Sequence, residues 1–196
     1  MSRVALITGG TRGIGAAVSM ALKAEGYVVA ATFAGNEEKA AIFTAETGIA
    51  TFKWDVSDYD ACILGIQKIE NKFGPVEVLV NNAGINGAGT RVDEMNITLS
   101  KQMFEVNTLG AFICAKHAIK RMAKRYGGNG GAIVNISSAA SKHGGPFTYV
   151  DYAASKAAID TFTIGLSKEQ ADQGIRVNCL RPGITMTEIS VDYAKQ

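Results

Sequence analysis

The chain has 196 residues, of which 47% are apolar and 19% charged, the composition of an ordinary globular protein with one sizeable core. The net charge is +2, and the densest basic cluster, Lys116 to Arg125, follows a helical pattern typical of a solvated face. These totals argue against nucleic-acid binding. We expect a single domain over residues 1–196.

The cysteines Cys62, Cys114 and Cys179 are far apart and lack the spacing of metal ligands. We therefore expect reduced, structural thiols and no metal. No apolar run approaches the ~20 residues of a membrane span, and the first run, at 4–8, is too short for a secretory signal. We expect a cytoplasmic protein that does not bind membranes.

Short apolar strand patterns alternate with helical patterns along the whole chain. The strand at 4–8 precedes a helix with an apolar stripe from Ile14 to Leu22, which Gly26 ends. Further strands are predicted at 27–33, 50–54, 76–80, 132–136 and 175–180, and further helices at 36–47, 58–73, 100–126 and 151–172. This order predicts an α/β fold, a doubly wound parallel sheet (Rossmann fold) in three layers. Ligands of such sheets bind beyond the carboxyl ends of the strands.

The first strand leads into TGGTRGIG (8–15), whose spacing is not the usual G-x-G-x-x-G dinucleotide fingerprint. A helix starting near Arg12–Ile14 would point its free N–H groups and positive dipole end at this loop, which favours a phosphate. The alternative is a plain turn. No Gly-Lys-Ser/Thr follows, so a P-loop is excluded.

The second strand ends without the carboxylate that binds the ribose 2′-hydroxyl of NAD, about 20 residues past the glycines. That position is Phe33, and the nearest acids are Glu37 and Glu38. Arg12, inside the glycine loop, suits the 2′-phosphate of NADP, unless it is only an exposed cation. The pattern favours NADP(H) over NAD(H).

Polar residues also follow the third, fourth and fifth strands. Asp55 either accepts from an adenine amino group or caps the next helix. Asn82 and Gly84, in NNAGING, lie where a flat ligand would pass. Ser137 and Ser138 place two hydroxyls at the crevice, and Ser138 suits a carbonyl oxygen on which charge develops.

Tyr152 and Lys156 form an i, i+4 pair in YAASK. A cation beside a phenol lowers the pKa of the phenol toward the range of a general acid or base. Such a pair arises readily by chance on any helix. Its position after a strand-end serine favours the catalytic interpretation.

TGGTRGIG, Asp55, NNAG, Asn107, Ser138, YAASK and RPG, in this order, resemble the short-chain dehydrogenase/reductase family over residues 3 to about 188. The family's own glycine spacing is T-G-x-x-x-G-x-G. The resemblance implies that Tyr152 protonates a carbonyl oxygen and that Ser138 orients it. It implies that Lys156 binds the nicotinamide ribose and lowers the pKa of Tyr152. It implies that Asn107 holds a water of the proton relay. Without the resemblance, the simpler interpretation of Asn107 is a polar residue on the solvated face of a helix.

The resemblance also implies a set of cofactor contacts. Thr187 would bond the nicotinamide carboxamide. The full set is Gly9, Thr11, Arg12, Gly13, Ile14, Phe33, Asp55, Val56, Asn82, Ala83, Gly84, Tyr152, Lys156, Pro182, Gly183 and Thr187.

The two halves of the chain resemble different members of the family. The first resembles acetoacetyl-CoA and 3-oxoacyl-carrier-protein reductases, which use NADPH. The second resembles reductases that act on sugars, polyols or substrates that are not known. The interval from Ser138 to Tyr152 is one residue longer than in the acyl reductases, so we expect a reshaped loop at 139–151. His143, in that loop, either touches substrate or is simply exposed.

We therefore expect an NADPH-dependent carbonyl reductase acting on a ketone, with a 3-oxoacyl thioester such as acetoacetyl-CoA as first choice. The alternatives are a sugar, polyol or other secondary-alcohol dehydrogenase, and a non-catalytic NADP-binding regulatory protein. The complete set of four catalytic residues argues against the regulatory protein.

The family also implies a homotetramer packed through two long helices. Here the long helix has apolar residues for such contacts or for the core, namely Met103, Phe104, Phe112, Ile113 and Ile119. The family continues beyond this point with a lid, a last helix and a last strand. We therefore expect that these C-terminal pieces are absent here and that the residues are either a fragment or, as we favour, the ordered part of a longer chain.

Overall fold

The computed structural model describes residues 2–87 and 89–185 and confirms the predicted α/β architecture. The six strands are β1 (Val4–Ile7), β2 (Val28–Phe33), β3 (Ala50–Lys53), β4 (Val76–Asn81), β5 (Gly131–Ile136) and β6 (Ile175–Leu180). The helices are α1 (Gly13–Ala24), α2 (Glu37–Thr47), α3 (Tyr59–Phe73), α4 (Ile97–Phe104), α5 (Gly110–Met122), α6 (Ala140–His143) and α7 (Val150–Glu169). A π-helical turn, Glu105–Leu109, joins α4 to α5, and short 3₁₀ turns lie at Val92–Glu94 and Lys124–Tyr126.

The strands form one sheet in the order β3-β2-β1-β4-β5-β6. All pairs are parallel, with Ile7 of β1 beside Ala31 of β2 and Val80 of β4. The strand order reverses between β1 and β4. In a doubly wound sheet this switch point opens the ligand crevice beyond the carboxyl ends of the two strands.

Both faces of the sheet are covered, which explains why the strands are apolar runs without alternation. Val4 and Leu6 of β1 pack into a core cluster with residues of α3, α5 and α7. Ala5 and Ile7 point the other way and pack with Phe43 of α2 and the partly buried side of α1. Within residues 2–87 and 89–185, no helix is both long and apolar enough to cross a membrane.

Two elements differ from the sequence prediction. The helix predicted at 100–126 begins at Ile97, because Asn96 Oδ1 caps its first turn by accepting from the backbone N–H groups of Thr98 and Leu99. It is interrupted by the π turn and ends at Met122, where the backbone of Ala123 becomes extended. The predicted loop 139–151 contains α6, which ends at Gly144 in the left-handed conformation.

Candidate active site

The glycine loop between β1 and α1 is too tight for side chains at two of its positions. Gly9 has a φ of +61°, a conformation that favours glycine. A Cβ at Gly15 would lie 2.2 Å from the carbonyl oxygen of Gly9, and a Cβ at Gly10 would lie 2.8 Å from that of Ile7. The spacing of these glycines is therefore a packing requirement, since α1 begins directly on top of the loop.

The first turn of α1 faces this loop. The helix begins at Gly13, as predicted, and its N-cap residue Arg12 provides no capping side-chain bond in the described structure. By contrast, α2, α3 and α4 are each capped by a side-chain oxygen, from Asn36, Asp58 and Asn96. The N–H groups at the start of α1 therefore suit the pyrophosphate of a dinucleotide.

Asn82 acts on the glycine loop itself. Its Nδ2 donates to the carbonyl oxygens of Thr8 and Gly9, both at 3.0 Å, so both amide hydrogens are used within the protein. The hydroxyl of Thr8 accepts from the backbone N–H groups of Asn82 and Ala83, also at 3.0 Å. Asn82 thus positions the loop from the end of β4. Thr8 was not anticipated from the sequence, where its one signal was a hydroxyl at the end of an apolar strand.

The residues that follow β3 are Trp54, Asp55 and Val56, of which Asp55 and Val56 were predicted to contact the cofactor. Asp55 Oδ1 accepts from the backbone N–H and the hydroxyl of Ser57, and it is Asp58 that caps α3. The helix-capping interpretation of Asp55 is therefore wrong, and its contact with adenine stays a prediction. The side chain of Val56 is buried against Gly110, so a cofactor would meet the backbone there.

Tyr152 and Lys156 lie on α7, one turn apart. The ammonium of Lys156 is buried, 5.8 Å from the centre of the Tyr152 ring, and donates to the carbonyl oxygen of Ile136 at 3.0 Å. It is therefore anchored to the end of β5. The pair and the strand-end serines meet at one place in the crevice.

Ser138 joins this pair. Its hydroxyl lies beside the phenol of Tyr152 and acts to lower the pKa of that phenol, and it accepts from the backbone N–H of Ala140 at 3.1 Å. Ser137 faces the other way, because it is buried and donates to the carbonyl oxygen of Lys156 at 3.0 Å. Of the two serines, it is therefore Ser138 that is available to a substrate carbonyl.

The pKa values of the pair are governed by burial. Burial raises the pKa of Tyr152, and the neighbouring Ser138 hydroxyl partly opposes this. Burial lowers the pKa of Lys156 to about 8, and the neighbouring Cys179 partly offsets it. The ammonium of Lys156 bonds a carbonyl oxygen here, and the lowering of the Tyr152 pKa by Lys156 that the resemblance implies stays a prediction. The phenol is protonated at neutral pH, which a general acid requires.

Asn107 lies in the π turn and is buried, so its interpretation as a polar residue on a wet helix face is wrong. Its Oδ1 accepts from the backbone N–H of Ile85 at 2.8 Å, and its Nδ2 donates to the carbonyl oxygen of Ile85 at 2.9 Å. A Cβ at Gly84 would lie 3.2 Å from Asn107 Oδ1 and 3.3 Å from Lys156 Nζ. Gly84 thus brings the loop after β4 against both side chains.

Three further residues named in the sequence analysis are Pro182, His143 and Thr187. Pro182 is brought to the serine segment, since its carbonyl oxygen accepts from the backbone N–H of Ala139 at 2.9 Å. His143 is exposed. Thr187 lies outside the described residues.

Three polar residues around the site were not anticipated from the sequence: Ser141, Ser155 and Asp160. Each is bonded to a segment that carries a predicted site residue. The one signal in the sequence was their helical spacing from Ser138, Tyr152 and Lys156. Such spacing also occurs on solvated faces, so it did not single them out.

A doubly wound sheet with a glycine loop at its switch point and a Ser–Tyr–Lys cluster beside it defines a nicotinamide-dependent oxidoreductase. The family model "short chain dehydrogenase" matches residues 3–196. The chain belongs to that family, and it is an NAD(P)-dependent oxidoreductase.

Named relatives are similar over most of their length. The chain is 46% identical over 191 residues to the "uncharacterized oxidoreductase YgfF" of Escherichia coli (strain K12), covering 95% of this chain and 77% of that protein. It is 47% identical over 189 residues to the acetoacetyl-CoA reductase of Shinella zoogloeoides, covering 96% and 76%. It is 34% identical over 199 aligned residues to the 3-oxoacyl-[acyl-carrier-protein] reductase FabG of Staphylococcus aureus (strain Mu50 / ATCC 700699), covering 97% and 77%.

Proposed function

We propose that the protein is an NADPH-dependent carbonyl reductase that reduces a ketone to a secondary alcohol, with a 3-oxoacyl thioester such as acetoacetyl-CoA as substrate. The observation that carries this proposal is the cluster in which Tyr152 lies beside the Ser138 hydroxyl and one helical turn from the buried ammonium of Lys156. Acetoacetyl-CoA reductases of Shinella zoogloeoides and Paracoccus denitrificans, 47% and 46% identical, support the choice of substrate.

The chemistry of the cluster suits carbonyl reduction. The nicotinamide, when bound, supplies the hydride. Ser138 and Tyr152 hold the carbonyl oxygen between two hydroxyls, and Tyr152 gives up its proton as negative charge develops there. This proton transfer requires that the phenol of Tyr152 is protonated before the reaction.

Lys156 adds a positive charge in a place from which water is excluded. With a pKa of about 8, its ammonium is mostly charged at neutral pH, and low solvation strengthens its effect on the developing oxyanion. Asn107 holds the segment at Ile85 beside it, and we assign to Asn107 the water that returns a proton to the site.

The preference for NADPH is supported by the charges at the end of β2. Phe33, where NAD-binding proteins place a carboxylate, pairs in register with Lys53 of β3. The nearby carboxylate of Glu37 is engaged by the ammonium of Lys53. Arg12, at the first turn of α1, then supplies the positive charge for a 2′-phosphate.

A second candidate, a sugar or polyol dehydrogenase, is favoured by the shape of the loop 139–151. That loop contains α6, and Phe147 has a φ of +66° and an exposed ring with the guanidinium of Arg91 5.6 Å from its centre. This differs from the shorter loop expected of an acyl reductase.

The two candidates are separated by measuring NADPH and NADH oxidation with acetoacetyl-CoA, diketones and sugars, and NADP⁺ reduction with polyols. We expect the highest kcat/KM for acetoacetyl-CoA with NADPH.

Tyr152→Phe should lower kcat by about 10²–10⁴-fold while NADPH still binds. Full turnover by Tyr152→Phe, or activity with polyols alone, would contradict the proposal.

We also propose a homotetramer assembled through the faces of α5 and α7. Phe112 of α5 and Phe162 of α7 stack with ring centres 4.0 Å apart, and Phe112 remains 36% exposed. Of the other apolar residues of the long helix, Met103 and Ile119 are buried and belong to the core, whereas Phe104 is exposed.

A further inference from the structure

A buried carboxylate one turn beyond Lys156 connects three segments of the site. Asp160 Oδ2 accepts from the hydroxyl of Ser141 at 2.7 Å and from Nε of Arg181 at 2.9 Å. Its Oδ1 accepts from the thiol of Cys179 at 3.3 Å. The carboxylate therefore bonds α7 to α6 and to the end of β6.

Two partners of Asp160 lead directly to predicted site residues. The Ser141 hydroxyl also lies 2.8 Å from the carbonyl oxygen of Ser138, so the serine segment and α7 meet at one group. Arg181 directly precedes Pro182, whose carbonyl oxygen accepts from the backbone N–H of Ala139. The contacts of Asp160 thus link the serine segment, the turn after β6 and the helix that carries Tyr152.

Asp160 is held in its charged form. Burial raises its pKa, but the hydrogen bonds from Ser141, Arg181 and Cys179 outweigh this, and the net pKa lies below the usual range. An ionised carboxylate is an acceptor only, so all its oxygen lone pairs are available to these donors. Charge-assisted bonds of this kind are shorter and stronger than neutral ones.

We propose that Asp160 is a positioning residue of the reductase, which sets the Ser138 segment and the Pro182–Gly183 turn at a fixed distance from Tyr152 and Lys156. The proposal rests on the proposed function, because it takes these residues as the substrate and cofactor contacts. Asp160 itself touches neither. A displacement of about 1 Å between reacting groups lowers rates by up to 10²-fold, so a carboxylate that fixes three segments affects catalysis through geometry.

A matched ion pair elsewhere in the protein separates positioning from simple stabilisation. Arg121 of α5 donates to Glu70 of α3 at 2.9 Å, with side chains 37% and 15% exposed. The Arg181–Asp160 pair has the same length, with side chains 36% and 11% exposed. Glu70 lies on α3, one of the helices that cover the sheet. Its carboxylate accepts from Nε of Arg121, and neither residue belongs to the Ser–Tyr–Lys cluster. Glu70→Gln is therefore the control for Asp160→Asn.

The experiment compares Asp160→Asn, Arg181→Gln, the double variant and Glu70→Gln in the full chain. We expect Asp160→Asn to lower kcat for acetoacetyl-CoA by about 10–100-fold and to raise the KM and Kd for NADPH. The double variant should be no worse than Asp160→Asn alone, because the two residues act as one unit. Glu70→Gln should lower only the Tm.

Wild-type kcat, KM and Kd in Asp160→Asn, with a lowered Tm like that of Glu70→Gln, would overturn the proposal. If Asp160→Asn does not fold, Arg181→Gln tests the same contact from the more exposed end of the pair. The Kd for NADPH, followed by nicotinamide fluorescence, is independent of turnover. A wild-type protein that binds NADPH but reduces no ketone would disprove the proposed function, while the Kd of the variants would still decide the role of Asp160.

Discussion

Asn107 Nδ2 donates to Ser155 Oγ over 3.1 Å, which joins the π turn between α4 and α5 to the helix that carries Tyr152 and Lys156. The Ser155 hydroxyl in turn donates to the carbonyl oxygen of Tyr152 at 2.8 Å, and its side chain is fully buried. A π turn shifts the helix register by one residue. This shift brings Asn107 to the candidate active site.

Ser155→Ala should therefore impair both stability and turnover. The substitution leaves one buried donor hydrogen of Asn107 without its acceptor, at a cost of about 1–3 kcal/mol in the free energy of unfolding. We expect a severalfold lower kcat, because Asn107 is then held only through Ile85. Ser167→Ala, which removes an exposed hydroxyl from the same helix, is the control for urea unfolding and kinetics. Equal effects of the two substitutions would argue against the role of Ser155.

The buried charge of Lys156 should lower the free energy of unfolding by an amount that depends on pH. Its pKa is lowered to about 8 in the folded protein, against about 10.4 in an unfolded chain. Between these values the unfolded state binds more protons, so the free energy of unfolding rises with pH over that window, and the penalty is complete below pH 8.

Lys156→Met should thus raise the free energy of unfolding at pH 7 by about 1–3 kcal/mol and abolish ketone reduction. The gain should shrink toward pH 10, where the wild-type lysine is neutral. Urea titrations at both pH values measure this, with Lys168→Met as an exposed control on the same helix. A gain of the same size at both pH values would show that the charge of Lys156 is not its cause.

The architecture could be predicted well from the sequence, because the strands are buried on both faces. Apolar runs such as β1 and β4 leave little ambiguity when helical patterns separate them. The start of α1 was also predicted, since Gly13 and Gly15 limit where the chain can turn. The helix at 100–126 was placed less well, because a π turn leaves the apolar periodicity almost intact and Asn96 resembles any loop asparagine.

The site was predicted where a residue type is specific to its chemistry, and missed where a residue acts through others. Tyr152 and Lys156 have a recognisable spacing and come together in the structure. Thr8 and Asp160 make contacts 74 and 21 positions away along the chain, which no local pattern indicates. The Asp55 side chain bonds Ser57 instead of capping α3, because Asp58 is the residue that directly precedes the helix.

Arg12→Ala tests the choice of cofactor. If the guanidinium binds the 2′-phosphate, its removal should weaken NADPH binding by about 10–100-fold, the value of a charge-assisted hydrogen bond of about 1.5–3 kcal/mol. NADH lacks that phosphate, so its Kd should stay within about twofold, given that surface changes usually have small effects. Fluorescence titrations with both nucleotides provide the internal control. Tighter binding of NADH than NADPH by the wild type would disprove the assignment.

Phe112→Glu tests the proposed assembly. A carboxylate at this partly exposed position beside Phe162 would be buried without a partner in an interface between copies, which costs several kcal/mol. We expect light scattering after size exclusion to show a tetramer for the wild type and smaller species for the variant. Ile42→Glu places the same charge on α2, where the side chain is 50% exposed, and should leave the mass unchanged. A wild-type monomer, or a Phe112→Glu tetramer as stable as the wild type, would exclude this face as the interface.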